Sequence, residues 1–336
     1  MSDSAAIWQL VAAEAPVPDR LFFHAPCFDG AASAAIALSF LVDRWKWSNV
    51  ELVPINYRSG RQWVTTDIGD RAAVVDFLYH PGAVFWADHH DTTFLTPELR
   101  SLNLAQSAQV ALYEPTSKSC ARLLFDALPR RFHYPTDRFV ELAQWADRID
   151  AAEFDSVEDA VFPTRAALQL TVTLSYGSTD EYCISIVRAL RESTVDVVAH
   201  LPEVQERFHR AQALVSAGLD RVRSTARIVD NGVVIFDAES AGVYINRYAP
   251  YALFPTARYS LGTVRGKHGA TLTVMRNPWM DFPSAHLGHI AERFGGGGHR
   301  RVGAIVIPQE QAANVNTVVA KVLAAIREYD SRAPRD

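Results

Sequence analysis

The stretch AVFWADHHD, Ala83 to Asp91, runs five apolar residues into Asp88, His89, His90 and a further aspartate. Titratable groups at the mouth of an apolar run are costly beside a core unless something pairs with them. The run has the length and composition of a buried strand, and its polar end is either a turn or a site. Upstream the same grammar repeats. LFFH leads into the helical pattern DGAASAAIALSFLVD, VELVPIN follows, and AAVVDF precedes the opening stretch. Short apolar runs separated by helical patterns predict a parallel sheet covered on both faces. Ligands of such sheets collect beyond the carboxyl ends of the strands. His24, Asp76 and Asp88 stand at that end of three predicted strands.

From about residue 119 to 226 the pattern turns helical, with TDRFVELAQWADRID and PEVQERFHRAQALVSAGLDRVRS its clearest amphipathic segments. Asn231-Gly232 then reads as a hairpin turn between β-rich runs. The runs LFPTARYSLGTV and ATLTVMRN, a glycine-rich FGGGGHRRVGAIVIP and a final helix from about Gln309 make a second α/β unit. The fold class expected is α/β: an N-terminal extension over 1–19, a parallel-sheet domain over 20–195, a helical linker over 196–226 and a smaller C-terminal α/β domain over 227–336, facing the first across a cleft.

Composition limits the function classes. The 336 residues are 49% hydrophobic and 21% charged with a net charge of −5, so no global positive field draws the chain to nucleic acid or membrane. Three scattered cysteines, Cys27, Cys120 and Cys183, make neither a disulfide framework nor a thiolate zinc site and point to a reducing cytoplasm. The acidic N-terminus does not read as a signal peptide, and no run is long enough to span a bilayer. GxSxG and HExxH motifs are absent.

The strand-end residues His24, Asp76, Asp88, His89 and His90, with Asp29 five residues after His24, form a metal inventory. Imidazole with carboxylate suits Mn²⁺ or Fe²⁺, with zinc and cobalt less favoured. Each residue alone has a bland reading as a cap, turn or hydrogen-bonded side chain. Three adjacent strands delivering Asp or His at one edge favour a site. Gly30 to Ala35 opens a helix directly after Asp29, which serves either an anion at the helix N-terminus or close helix–sheet packing. Asp147 and Asp150 lie three apart on one helix face, where acidic groups oppose the macrodipole. In the second unit, Gly295 to Gly298 with His299, Arg300 and Arg301 suits a loop wrapped around phosphate, or else a tight connection.

Together HAPCFDG, the lone Asp76, DHH, WADRID and GGGGHRRVGA resemble, in order, the motifs of the DHH phosphoesterase superfamily, in the RecJ-like branch whose C-terminal associated domain carries a GGGH motif. The resemblance covers residues 20–305. It implies two Mn²⁺ ions, one on Asp29, Asp76, His89 and Asp147, the other on His24 and the bridging Asp76. It implies His90 as a donor to substrate phosphate with Asp88 orienting it, and Asp150 as a surface or supporting group. His299, Gly297, Gly298, Arg300 and Arg276 would bind substrate, with Arg301 and Asn246 as further candidates and Arg247 beside them. Many members read His-x-x-x-Asp-x-Asp in the first motif, the first aspartate ligating the metal bound by the histidine; in HAPCFDG that carboxylate is missing and Cys27 stands nearby. The His24 site is thereby left short of a ligand unless Cys27 or water completes it; a small buried cysteine is the plainer reading. The activity implied is hydrolysis of a phosphodiester in short oligonucleotides or in cyclic or linear dinucleotides. The alternatives are a RecJ-like single-strand exonuclease, a nucleotide phosphatase, or a nucleotide sensor that has lost metal chemistry. A homodimer is compatible with the sequence.

Overall fold

The computed structural model describes residues 19–105, 109–229 and 232–332. The N-terminal extension and Asn231 of the expected hairpin lie outside these, apart from Asp19. The first sheet contains β1 (Arg20–His24), β2 (Glu51–Ile55), β3 (Ala72–Val75), β4 (Phe85–Asp88) and β5 (Val110–Tyr113), all parallel, in the order β2-β1-β3-β4-β5. The expectation of a parallel sheet holds; β5 is an addition to the strands read from sequence, because its four residues carry no periodic signal long enough to stand out. In this order the chain reverses direction across the sheet between β1 and β3, and the crevice at such a switch point is where ligands bind. His24 ends β1 and Asp76 follows β3 at that point.

Helix α1 (Phe28–Trp45) crosses from β1 to β2 and is buried along nearly its whole length, through Leu41. Its alanines let it lie close to the sheet and to α3 (Cys120–Phe132), α4 (Val140–Asp150) and α7 (Asp180–Glu192). Between α1 and α7 come α2 (Pro97–Ala105), α5 (Val157–Val161) and α6 (Ala166–Ser175). The period-2 alternation of β1 sends Leu21 and Phe23 into this core and Phe22 to the opposite face, against Trp63, Val74 and Trp86. Each such fully buried side chain contributes about 1.5–3 kcal/mol. The opposite face is covered by a short 3₁₀ segment over Tyr57–Thr65, and the indole N–H groups of Trp63 and Trp86 donate to the carbonyls of Leu78 and Phe77.

After α8 (Val195–Ala199), α9 (Pro202–Thr225) leads to a mixed second sheet of β6 (Arg227–Val229), β7 (Val233–Glu239), β8 (Tyr259–Gly266), β9 (Gly269–Arg276), β10 (Gly297–Gly298) and β11 (Val302–Pro308), ordered β10-β11-β9-β8-β7-β6. Helix α10 (Ala249–Leu253) makes the parallel β7–β8 crossover, α11 (Leu287–Glu292) precedes the glycine run, and α12 (Val315–Arg332) follows a 3₁₀ turn at Gln309–Asn314. Ala160 and Val161 of α5 pack with Val215, Val234, Tyr251 and Met275, which ties the two sheets together. Trp279 adds an indole bond to the Phe154 carbonyl, 3.1 Å. Among the described residues no helix is long and apolar enough to cross a membrane.

Candidate metal centre

Asp29 sits in the first turn of α1, but its charge answers another helix. Its carboxylate accepts the N–H groups of Cys120 (2.7 Å) and Ala121 (2.9 Å) at the start of α3, and the Ser33 hydroxyl at 3.3 Å. A carboxylate at a helix N-terminus meets both orphan donors and the positive end of the dipole. Gly30 explains how α1 comes so near the strand: a Cβ there would lie 2.0 Å from the His24 carbonyl oxygen. Of the two sequence readings of this small-residue start, close packing therefore accounts for the glycine.

Asp76 leaves β3 with φ 55°, the left-handed region that Asp adopts more readily than most residues. Its Oδ2 faces His24 Nδ1 at 3.4 Å and its Oδ1 faces His89 Nε2 at 3.7 Å. His89 Nε2 also stands 3.5 Å from Asp29 Oδ2 and 3.5 Å from Asp150 Oδ2. The Nδ1–H of His89 donates to the Ser117 carbonyl at 3.0 Å, which leaves the lone pair on Nε2, pointed at three carboxylates. Asp88 accepts the His89 amide (2.9 Å) and His90 Nδ1 (2.7 Å) on one oxygen, so it orients the imidazole of His90.

Five atoms here are buried with no hydrogen-bond partner: His24 Nδ1, both Asp76 oxygens, Asp88 Oδ2 and His89 Nε2. Each such group costs about 1–3 kcal/mol if left unsatisfied. All five are Lewis bases, and divalent cations answer that deficit. Burial, then the charge of Asp29, pushes the Asp76 carboxyl well above the usual range; burial also raises that of Asp29, against the pull of His89. These carboxyls lack positive charge. The donor set of nitrogen and oxygen fits a Mn²⁺-type ion; Asp29, Asp76, His89 and Asp150 would hold one, and His24 and Asp76 face a second position.

Asp150 takes the place expected of Asp147. The Asp147 carboxylate accepts the Ser119 hydroxyl (2.8 Å) and Arg122 Nε (2.8 Å), both at the start of α3. The two aspartates share a face, but Asp147 lies one turn short of the strand edge and meets α3 instead. Only the last residue of α4 reaches His89.

His299 arrives from the second sheet. Its ring stacks on His90, with centroids 4.2 Å apart and planes 25° apart, and its Nε2 stands 3.1 Å from Asp150 Oδ2. Burial lowers its pKa, but Asp150 outweighs this and the net shift is upward; His299 in turn holds Asp150 well below the ordinary carboxylate range despite burial. His90 is the opposite case: burial and His299 outweigh Asp88 and push it down to about 4. Its Nδ1 is engaged by Asp88 at 2.7 Å, which leaves Nε2 as the ring nitrogen without that partner.

The remaining substrate candidates divide. Gly298 N–H reaches Thr92 Oγ1 at 3.4 Å, and a Cβ on Gly297 would lie 3.0 Å from the same atom. Gly296 and Gly298 face the carbonyls of Ala304 and Val302 at 2.0 and 2.3 Å from where a Cβ would be. The fold itself therefore requires these glycines. Arg300 and Arg301 are exposed, while their carbonyls accept the Leu287 and Arg276 amides. Arg276 is buried, stacks on Phe282 and donates to the carbonyls of Asn277 and Phe282, bracing its own loop instead of facing the site. Asn246 is buried as well, donating to the Ala160 carbonyl and accepting the Tyr248 amide, so it helps join the sheets. Its neighbour Arg247 is exposed, packs on the Tyr248 ring, and lies within reach of the Asp150 charge. Cys27 lies partly exposed at the site mouth, not in the core; burial, Asp150 and Asp29 push its thiol up to about 12. Tyr57, missed in the sequence, sets its ring 5.0 Å from those of His24 and Phe77 and 6.4 Å from that of His90. It sits in an irregular 3₁₀ segment, where no periodicity could have marked it.

No protein-family model and no curated protein matches the sequence. Solved structures do. A pGpG-specific phosphodiesterase, PggH from Vibrio cholerae, is 18% identical with a TM-score of 0.60, the match covering 91% of this chain and 99% of that one. RecJ from Thermus thermophilus in complex with Mn²⁺ is 17% identical with a TM-score of 0.53, over 94% of this chain and 52% of the other. The DHH domain of a member of a ribosomal-protein family is 13% identical with a TM-score of 0.54, over 92% and 86%. Identities this low speak to fold alone. With Asp88-His89-His90 at the carboxyl end of β4, Asp76 at the switch point and His299 closing from the second sheet, the chain has the fold of the DHH, RecJ-like superfamily.

Proposed function

We propose that the chain is a metal-dependent phosphodiester hydrolase acting on short oligonucleotides or on linear or cyclic dinucleotides. The observation that carries this reading is the set of five buried, unpartnered donor atoms at the carboxyl edge of the first sheet, faced by the His299 imidazole from the other sheet. Bound by these residues, a pair of Mn²⁺-type ions would supply Lewis-acid charge for the phosphoryl oxygens and a hydroxide-like water at neutral pH. The protein's own groups do the rest. Asp88 holds one tautomer of His90, whose Nε2 is free to take a proton. His299, held by its Nε2 against Asp150, has Nδ1 as the second ring nitrogen, a donor to an anionic phosphate oxygen when the ring is protonated. Arg247 adds a guanidinium at the same mouth, and Tyr57 offers an aromatic face to a base.

Substrate size follows from enclosure. The second sheet is held over the strand ends by His286–Asp91 (2.9 Å) and Gly298–Thr92, which favours a substrate of few nucleotides over a long strand. The test is a length series from dinucleotides to a long single strand, together with 3′-phosphoadenosine 5′-phosphate, assayed with Mn²⁺ and with Asp76→Ala as control. The expected result is a kcat/KM highest for two to five nucleotides and lost in the variant. Preferential degradation of the long strand would support the exonuclease alternative, and nucleotide binding without metal or turnover the sensor.

A further inference from the structure

The two halves of the centre are unequally furnished. Asp76 divides its oxygens, Oδ1 toward His89 and Oδ2 toward His24. On the His89 side Asp29 and Asp150 complete a set of four protein ligands. On the His24 side the partners are His24 Nδ1 and one further atom, Cys27 Sγ, and the ligand atoms of His24, Cys27 and Asp76 all lie within 4.8 Å of one another. His24 Nδ1 and both Asp76 oxygens are buried without hydrogen-bond partners, and Asp76 is 1% exposed, so two independent groups aim at the position the sulfur borders.

We propose that Cys27 is a thiolate ligand of the His24-side cation, which makes the centre chemically asymmetric: one site of nitrogen and oxygen, one of sulfur, nitrogen and oxygen. This rests on the metal-centre reading above. The placement of Cys27 supports it. The residue is the N-cap of α1, where Ser, Thr, Asp or Asn is usual, and its carbonyl accepts the Ala31 amide at 3.1 Å, so the sulfur is fixed to the helix start. Cys120 and Cys183 are buried in the core, whereas Cys27 alone of the three is partly open to the cleft. His24 and Cys27 are separated by two residues, a spacing familiar from chelating pairs. On binding, the S–H bond breaks, the sulfur lone pair forms the bond to the cation and the proton leaves to solvent. A thiolate there shifts preference from Mn²⁺ toward Zn²⁺, Co²⁺ or Fe²⁺ on that side only.

Cobalt titration of the purified full chain tests this without reference to turnover. Two equivalents of Co²⁺ are expected, one of them bringing a sulfur-to-cobalt charge-transfer absorption in the near ultraviolet. Cys27→Ser should keep the His89-side equivalent, abolish the band and weaken the other equivalent by at least about tenfold, the low end of what losing even an outer partner costs. Cys27→Asp should restore two equivalents without the band and favour Mn²⁺ over Zn²⁺ at the second. Two bound cobalt ions without the band in the wild-type chain, or a band that survives in Cys27→Ser, would overturn the proposal while leaving the metal centre standing. Failure to bind any cobalt would overturn both.

Discussion

Asp150 Oδ2, on the last residue of α4, stands 3.5 Å from His89 Nε2 and 3.1 Å from His299 Nε2, so a single oxygen meets both the DHH triplet and the glycine-rich loop of the other sheet. Asp150→Asn keeps the shape and removes the charge. It should cost one metal equivalent, or weaken it at least about tenfold, as read by elemental analysis of the dialysed protein. Asp147→Asn should leave metal content unchanged and lower stability by about 2 kcal/mol, the scale of a hydrogen bond to a charged group. The reverse pattern would return the ligand role to Asp147.

Gly30→Ala tests whether the first-motif residues are held by contact. The new methyl group would stand 2.0 Å from the His24 carbonyl oxygen, a backbone atom that cannot rotate away. A destabilisation of about 3 kcal/mol is expected, the upper range for overpacking, with weaker metal binding because His24 and Asp29 are pushed apart. Denaturant unfolding and metal titration read the two effects separately. An unchanged unfolding midpoint would show that α1 can shift freely.

The bond between His286 and Asp91 links the sheets at the mouth of the cleft, with side chains 20% and 37% exposed. A double-mutant cycle of His286→Ala and Asp91→Ala should return a coupling of about 0.5 kcal/mol in stability, as for exposed pairs. The same variants should raise KM for a dinucleotide severalfold while metal stoichiometry stays at the wild-type level. A loss of metal in His286→Ala would mean that this histidine does more than hold the cleft.

His80 gives a pH dependence remote from the centre. The Gly82 amide donates to its Nδ1 (3.0 Å), so Nε2 carries the proton and donates to the Thr66 carbonyl (3.1 Å), an arrangement made for the neutral ring. Burial lowers its pKa below the ordinary 6.5, outweighing the help of nearby carbonyls. The unfolded chain then binds the proton first. The contribution of His80 is complete above about pH 6.5 and declines as pH falls through the folded value, by at most about 1.4 kcal/mol per pH unit. His80→Gln should be less stable at pH 7.5 yet lose less between pH 7 and 5. Parallel stability profiles for the two proteins would contradict this.

Strand ends and helix faces are readable because periodicity and apolar runs are local. The carboxyl-edge cluster of His24, Asp76, Asp88, His89 and His90 can be assembled from spacing alone, and His299 from the glycine run. The choice between Asp147 and Asp150 is not local: both satisfy the same helix face, and Arg122, on a different helix, claims the first. The partners of Arg276 and Asn246 are out of sight for a similar reason. Each is a polar residue at an element end, but carbonyls contributed by Phe282 and Ala160 capture them. Tyr57 is hidden by the opposite problem, an irregular backbone with no period to read. The expectation for Cys27 as a buried core cysteine fails because burial depends on where β1 ends and α1 begins relative to the second sheet.

Residues 88 to 92 divide several tasks among five consecutive positions. Asp88 steers, His89 faces the carboxylates, His90 stacks on His299, and Asp91 and Thr92 grip the opposite sheet through His286 and Gly298. There is no slack between grip and chemistry. If the protein is the hydrolase proposed, a swing of the second sheet would pull on the same short lever that carries the imidazoles, so opening the cleft would also disturb the alignment at its floor. Release and resetting of the centre would then be a single mechanical event.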